Sequence, residues 1–311
     1  MPTAPTLPVT PPGGVTTGCA RTSVGLTPVT DLTGAYKGFA GRLYSSSNLR
    51  PAPHEAAGLT LARGIGPMDA DGRPSAGGRY VLVSIGMSNT TQEFSVFKPL
   101  ADAAPGKDPR LVIVDGAQGG QTAALWSNPG CACWSVLDTR LANAGVSARQ
   151  VAAAWVKLAD ASPNEAFPVH AQRLRDEIVL VLPLLRQRFP NLQVAYLSSR
   201  IYGGYATTNL NPEPYAYESA FAVKWVIEAQ LAGSLPYPSS GSTAVAPWVA
   251  WGPYLWADGL VPRSDALTWA CSDLRDDGTH PSASGAQKVA QMLLQFVQTD
   301  ATAREWFLAN P

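Results

Sequence analysis

Two short stretches hold residues whose types suit nucleophilic catalysis. Gly86-Met87-Ser88-Asn89-Thr90 follows an apolar, β-branched run, and Asp277-Gly278-Thr279-His280-Pro281 precedes the last long amphipathic stretch. A serine at a strand-to-helix turn is exposed beside helix amides, where developing negative charge is stabilised. Alone it is a weak nucleophile and needs a base. The chain has three histidines, His54, His170 and His280. The aspartate three residues before His280 can reach back to the ring around a turn. Asp277 would then fix the tautomer and stabilise the imidazolium. Asp276 is its rival. Blander readings exist for each residue. Ser88 and Asn89 both cap helices well, Asp277 suits a turn, and Gly119 and Gly120 suit a tight turn. A serine, an aspartate and a histidine at such positions together favour the catalytic reading.

The elements that must position these residues are legible as periodicity. Short apolar runs at 79–85, 110–115, 151–158, 192–197 and 248–256 read as buried strands. Helical spacing covers about 91–102, 167–189, 213–232, 282–297 and 301–308. Strands alternating with amphipathic helices predict an α/β fold with a mostly parallel sheet. Ligand sites on such sheets lie beyond the carboxyl ends of the strands. Ser88 and the glycine turn Gly116-Ala117-Gln118-Gly119-Gly120 both stand at such ends. Residues 79–311 form the expected catalytic domain, 18–78 an N-terminal extension packed on it, and 1–17, with five prolines, a flexible lead-in.

In these blocks the chain resembles the SGNH, or GDSL-like, serine ester hydrolases. That family has Gly-x-Ser after its first strand, a glycine turn after its second and Asp-x-x-His near its C-terminus. All three blocks stand in that order over about residues 79–297. Gly-Met-Ser-Asn is similar to the Gly-Gln-Ser-Asn of sialate O-acetylesterase-like members. The resemblance implies a three-layer α/β/α sandwich on a flavodoxin-like sheet of about five strands. It implies Ser88 as nucleophile, His280 as base and Asp277 as orienting partner. The backbone N–H groups of Ser88 and Gly120 would form part of the oxyanion hole. The family's third block adds an Asn side chain to that hole. Here Lys157-Leu158-Ala159-Asp160 follows, with Ala159 in the Asn position. Lys157, Gln118 or Arg200 could substitute, at the hole or on the substrate. Asn89, Trp256 and Trp269 are candidates to line the substrate.

Composition narrows the partners. Lys+Arg and Asp+Glu are both 23, which leaves no basic excess for neutralising nucleic-acid phosphates. No stretch approaches the roughly 20 consecutive apolar residues of a membrane span. Metal binding finds no support. His54-Glu55-Ala56-Ala57-Gly58 falls one histidine short of the zincin pattern, and Cys131-Ala132-Cys133 is too close-set for a zinc knuckle. Cys19, Cys131, Cys133 and Cys271 read either as buried thiols or as disulfides such as Cys19 to Cys271. The Pro/Thr-rich lead-in before Cys19 fits a mature secreted or periplasmic chain better than a cytoplasmic one. The sequon Asn89-Thr90-Thr91 would place a glycan over Ser88, which argues against a eukaryotic secretory origin. The expectation is thus a cofactor-free serine esterase acting on short acyl esters of small molecules. A carbohydrate O-acetylesterase is the second reading, favoured by Gly86-Met87-Ser88-Asn89 and by the tryptophans. A non-catalytic carbohydrate-binding protein on the same fold is the reading of another class, favoured by the missing Asn.

Overall fold

The computed structural model describes residues 18–240 and 243–311, so the expected lead-in 1–17 lies outside the described residues. In chain order the elements are β1 (Ala35–Tyr36), β2 (Phe39–Ala40), α1 (Ala52–Arg63), β3 (Tyr80–Gly86), α2 (Ser88–Asp102), β4 (Leu111–Val114), α3 (Ala123–Trp126), α4 (Ala132–Asn143), β5 (Val151–Lys157), α5 (Val169–Arg188), β6 (Val194–Leu197), α6 (Tyr215–Leu231), β7 (Trp248–Trp251), α7 (Ala283–Thr299) and α8 (Arg304–Phe307).

Five strands form one parallel sheet in the order β4-β3-β5-β6-β7. Every residue of β3, β5, β6 and β7 is buried. Strands apolar on both sides need cover on both faces. Helices α2 and α7, joined by α1 and α8, form one covering layer, while α3, α4, α5 and α6 form the other. The chain leaves β3 toward β4 and then crosses back past β3 to β5. That reversal opens a crevice beyond the carboxyl ends of β3 and β5. Gly86 and Lys157, the last residues of these strands, are register partners.

The strands match the apolar runs, with one difference in a strand and one in a helix. Only Trp248–Trp251 of the run 248–256 is strand, because Gly252-Pro253 follows. Helix α2 begins at Ser88 and not near Thr91, so the serine motif is itself the first helical turn. Helix α4 lies in a segment with no predicted element. Its buried Cys133, Trp134, Leu137 and Leu141 carry a helical spacing that two cysteines and a tryptophan obscure.

Residues 18–50 hold little regular structure beyond the β1–β2 hairpin and a short 3-10 turn at Gly18–Ala20, so side chains from the rest of the fold satisfy part of their backbone. Lys224 of α6 donates to the carbonyls of Ala40, Gly41 and Arg42 at 2.6–3.1 Å. Asp258 accepts from Ser23 Oγ at 2.5 Å and from Val24 N–H at 2.7 Å. Tyr217 and Tyr202 donate to the carbonyls of Thr27 and Arg21, both at 2.8 Å.

Two disulfides close the cysteine set: Cys19–Cys271 across a sequence separation of 252, and Cys131–Cys133 across a separation of 2. Long closures restrict the unfolded chain far more than short ones. Removing the first pair by Cys19→Ser/Cys271→Ser is expected to cost about 2–5 kcal/mol of stability, and removing the second much less. Equilibrium denaturation of the two double variants checks the contrast, and equal losses would contradict it.

Candidate active site

The site is assembled at Gly86. A Cβ there would lie 2.2 Å from Thr90 Oγ1 and 2.4 Å from the Lys157 carbonyl oxygen. Glycine therefore lets the first turn of α2 close onto the end of β5. Thr90 Oγ1 donates to that same carbonyl at 2.8 Å. The Gly86 carbonyl accepts from Gln118 N–H at 3.0 Å and from Trp126 Nε1 at 3.2 Å. Strand end, helix start and glycine turn are thus fastened at one residue.

Ser88 is the first residue of α2, and no side chain caps that helix, whose N-cap is Met87. The first N–H groups of a helix have no partner within it. Gly119 passes close beside Ser88: a Cβ on it would lie 4.0 Å from Ser88 Cβ. Gly120 follows at φ +77°, a conformation that favours glycine. Both are exposed, and the Gly120 N–H donates to no described residue. The turn is pinned from below. Ser84 Oγ donates to Asp115 at 2.5 Å and accepts from Gly116 and Ala117 N–H at 3.1 and 3.2 Å. Asp115 also accepts from Thr91 Oγ1 at 2.5 Å, and Arg140 of α4 donates to the carbonyls of Asp115 and Ala117 at 2.8 Å.

Ser88 Oγ lies 2.8 Å from His280 Nε2. His280 Nδ1 is bonded to Asp277 Oδ2. A carboxylate only accepts, so Nδ1 carries the proton and Nε2 is left to accept from the Ser88 hydroxyl. Asp277 Oδ1 also accepts from the N–H groups of Thr279 and His280 at 3.0 and 2.9 Å. Partial burial raises the Asp277 pKa, but these donors outweigh it and hold the carboxyl below its usual range. Asp276 is exposed and has no such partners. Gly278, at φ +64°, brings the loop against the Tyr205 carbonyl, which a Cβ would approach to 1.9 Å.

The remaining candidates separate by their partners. Asn89 is buried and donates from Nδ2 to the Thr279 carbonyl at 2.9 Å, so it ties α2 to the histidine loop and does not line a cleft. Gln118 spends its amide on the carbonyls of Gly116 and Cys133 at 3.1 and 2.8 Å. Lys157 is buried with its ammonium 2.5 Å from both oxygens of Glu93, which sequence reasoning never singled out. Burial brings the Lys157 pKa down to about 8, and Glu93 is pushed above its usual range by the same burial. Both amide hydrogens of Gln118 are thus used, and the Lys157 ammonium is held against Glu93 inside the core. Trp256 and Trp269 are fully buried, with indole N–H groups on Glu213 at 2.6 Å and on the Leu255 carbonyl at 2.9 Å. They are core, not cleft wall. Ala159 brings no side-chain donor, and its carbonyl accepts from Ala123 N–H at 3.0 Å. His54 stacks on Trp248 and bonds the Val249 carbonyl at 2.8 Å. Arg200 is brought to this end of the sheet, just past β6, and its guanidinium bonds nothing among the described residues. No group of residues suited to hold a metal ion occurs among the described residues.

A search of family profiles finds no match, and no curated protein matches the chain. Solved structures are similar in backbone course. The YxiM protein of Bacillus subtilis is 12% identical at a TM-score of 0.40, over 71% of this chain and 56% of that one. A gut microbial diltiazem-metabolizing enzyme is 14% identical at 0.39, over 70% and 46%. The lipopolysaccharide acetyltransferase periplasmic domain of Salmonella ser. Paratyphi A is 11% identical at 0.38, over 76% and 87%. The chain spans about half the length of the first two. The chemistry of the site stands on its own geometry.

The buried Lys157–Glu93 pair allows a direct test. Breaking such a pair leaves one uncompensated buried charge. Glu93→Gln is expected to cost about 3–5 kcal/mol, whereas Glu93→Leu/Lys157→Met should cost much less. Urea denaturation of both variants reads this, and a Glu93→Gln protein as stable as the parent would refute it.

Proposed function

We propose that the protein is a serine ester hydrolase of the SGNH type. The observation that carries this reading is the continuous chain from Ser88 Oγ through His280 to Asp277, with Ser88 at a helix start. His280 Nε2 takes the Ser88 proton as Oγ attacks the ester carbonyl carbon. The carbonyl π-electrons move onto oxygen, and the tetrahedral oxyanion is held by the N–H groups of Ser88 and Gly120. Collapse expels the alcohol, which receives the proton from His280, and leaves an acyl-serine. Water, deprotonated by His280, then attacks that ester, and the second collapse returns the proton to Ser88 and frees the acid. Asp277 is held as the anion throughout and stabilises each imidazolium.

With Ala159 in the third block, the hole rests on two backbone amides. Short acyl esters are the proposed substrates, and secretion or a periplasmic setting remains the proposed location. No described helix is long and apolar enough to cross a membrane. The carbohydrate O-acetylesterase reading loses the tryptophans that favoured it, since burial keeps Trp256 and Trp269 from stacking on a sugar ring.

A p-nitrophenyl ester series from acetate to decanoate tests the proposal. Ser88→Ala should abolish turnover, and Asp277→Asn should lower kcat by about 10⁴-fold, because the ring loses its fixed tautomer. Turnover that survives in Ser88→Ala would overturn the assignment. Asp277 also links the site to pH. Its carboxyl is depressed in the folded protein, so its contribution to stability is present above the unfolded pKa and is lost as pH falls through the folded one.

A further inference from the structure

Arg200 follows β6 at the carboxyl end of the sheet and is only 5% exposed. Its Nε is wholly buried without a partner. Its two terminal nitrogens also donate to nothing among the described residues, yet they keep a trace of solvent contact. A buried guanidinium without hydrogen bonds is costly, and native proteins rarely leave one so.

The carboxylates whose charge Arg200 feels are Glu93, Glu213 and Asp277, while Lys157 is a like-charged neighbour. None of the three comes within 4 Å of the guanidinium, and each is committed elsewhere. Glu93 gives both oxygens to Lys157. Glu213 accepts from Gly203 N–H, Tyr217 N–H and Trp256 Nε1 at 2.8, 2.9 and 2.6 Å. Asp277 accepts from His280 and Thr279. These charges help keep the buried cation in place, but they offer it no acceptor. The loop beginning at Arg200 also touches the catalytic loop, since Thr207 N–H donates to the Asp277 carbonyl at 3.0 Å.

We propose that Arg200 is the specificity residue of this site and binds a carboxylate carried by the ester substrate. The inference rests on the esterase reading above. The oxyanion forms beside Ser88, after β3, and Gly120, after β4, whereas Arg200 follows β6, on the other side of β5. It therefore meets a fixed anion elsewhere on the substrate, through the planar fork that matches a carboxylate.

The test compares esters that differ only in that charge. On the acyl side the pair is p-nitrophenyl hydrogen glutarate and its methyl ester. On the alcohol side it is 4-acetoxybenzoate and its methyl ester. In at least one pair the wild-type kcat/KM should favour the carboxylate by about 10- to 100-fold, the range a charge-assisted hydrogen bond supplies. Arg200→Met should collapse that ratio toward one, and Arg200→Lys should keep part of it. The ratio is internal to each protein, so a general loss of activity does not move it. Ratios near one in wild type for both pairs overturn the proposal, as does a ratio that persists in Arg200→Met. If Arg200→Met does not fold, Arg200→Lys decides in the same way: an unaltered ratio overturns, a reduced one supports. If wild type hydrolyses no ester, the esterase reading fails and Arg200 is judged by binding. Glutarate, but not neutral glutaramide, should then raise the Tm of the Ser88→Ala protein at constant ionic strength, and not when Arg200→Lys is added. Equal behaviour of the two probes would overturn the proposal.

Discussion

The site depends on how closely three backbones meet at Gly86. No other residue leaves room there for Thr90 on one side and the Lys157 carbonyl on the other. Because β3 and β5 are register partners at this point, the first turn of α2 sits directly above the crevice made by the reversal of strand order. The Gly86 carbonyl then takes up Gln118 N–H and Trp126 Nε1, which brings the glycine turn to the same place. The position of Ser88 relative to Gly120 is thus fixed by packed backbone, and neither residue relies on a flexible side chain to find the other.

The second half of the site comes from far along the chain and is held by backbone contacts of a different kind. Asn89, next to Ser88, reaches the Thr279 carbonyl, while the Tyr205 carbonyl fills the space a side chain at Gly278 would need. The histidine loop is gripped from α2 on one side and from the loop after β6 on the other. Beneath lies a cluster of buried charge: Lys157 against Glu93, with Arg200 and Glu213 near. Such a cluster is an expensive foundation for a fold. Its location directly under the proposed chemistry accounts for its presence better than stability does.

Much of this was legible in the sequence, for physical reasons that also mark where legibility ends. The five parallel strands are read easily because strands buried on both faces are continuous apolar runs. Ser88, Asp277 and His280 are readable because short motifs at strand and helix ends combine residue types that chemistry requires together. Partnerships across long separations are not readable. Asn89 presents itself as a site-lining amide until its bond to Thr279 is seen. Glu93, five residues into a helix, has the look of a solvent-facing carboxylate. Lys157 has the look of a free donor, although Glu93 claims its ammonium. The tryptophans near residue 256 suggest a sugar platform, but the same large apolar area makes them core.

The order of these pieces along the chain has a consequence for biosynthesis. The serine turn, the strands β3, β4 and β5 and the glycine loop belong to the first half of the described residues, whereas His280 arrives 192 residues after Ser88. A ribosome emits the chain from the N-terminus, and early segments begin to fold first. The nascent protein therefore carries the serine without its base while the 192 residues up to His280 are added. The Cys19–Cys271 bond adds a final latch, because Cys271 emerges only nine residues before His280. Closure of the latch and arrival of the base therefore come almost together, long after the serine turn has formed.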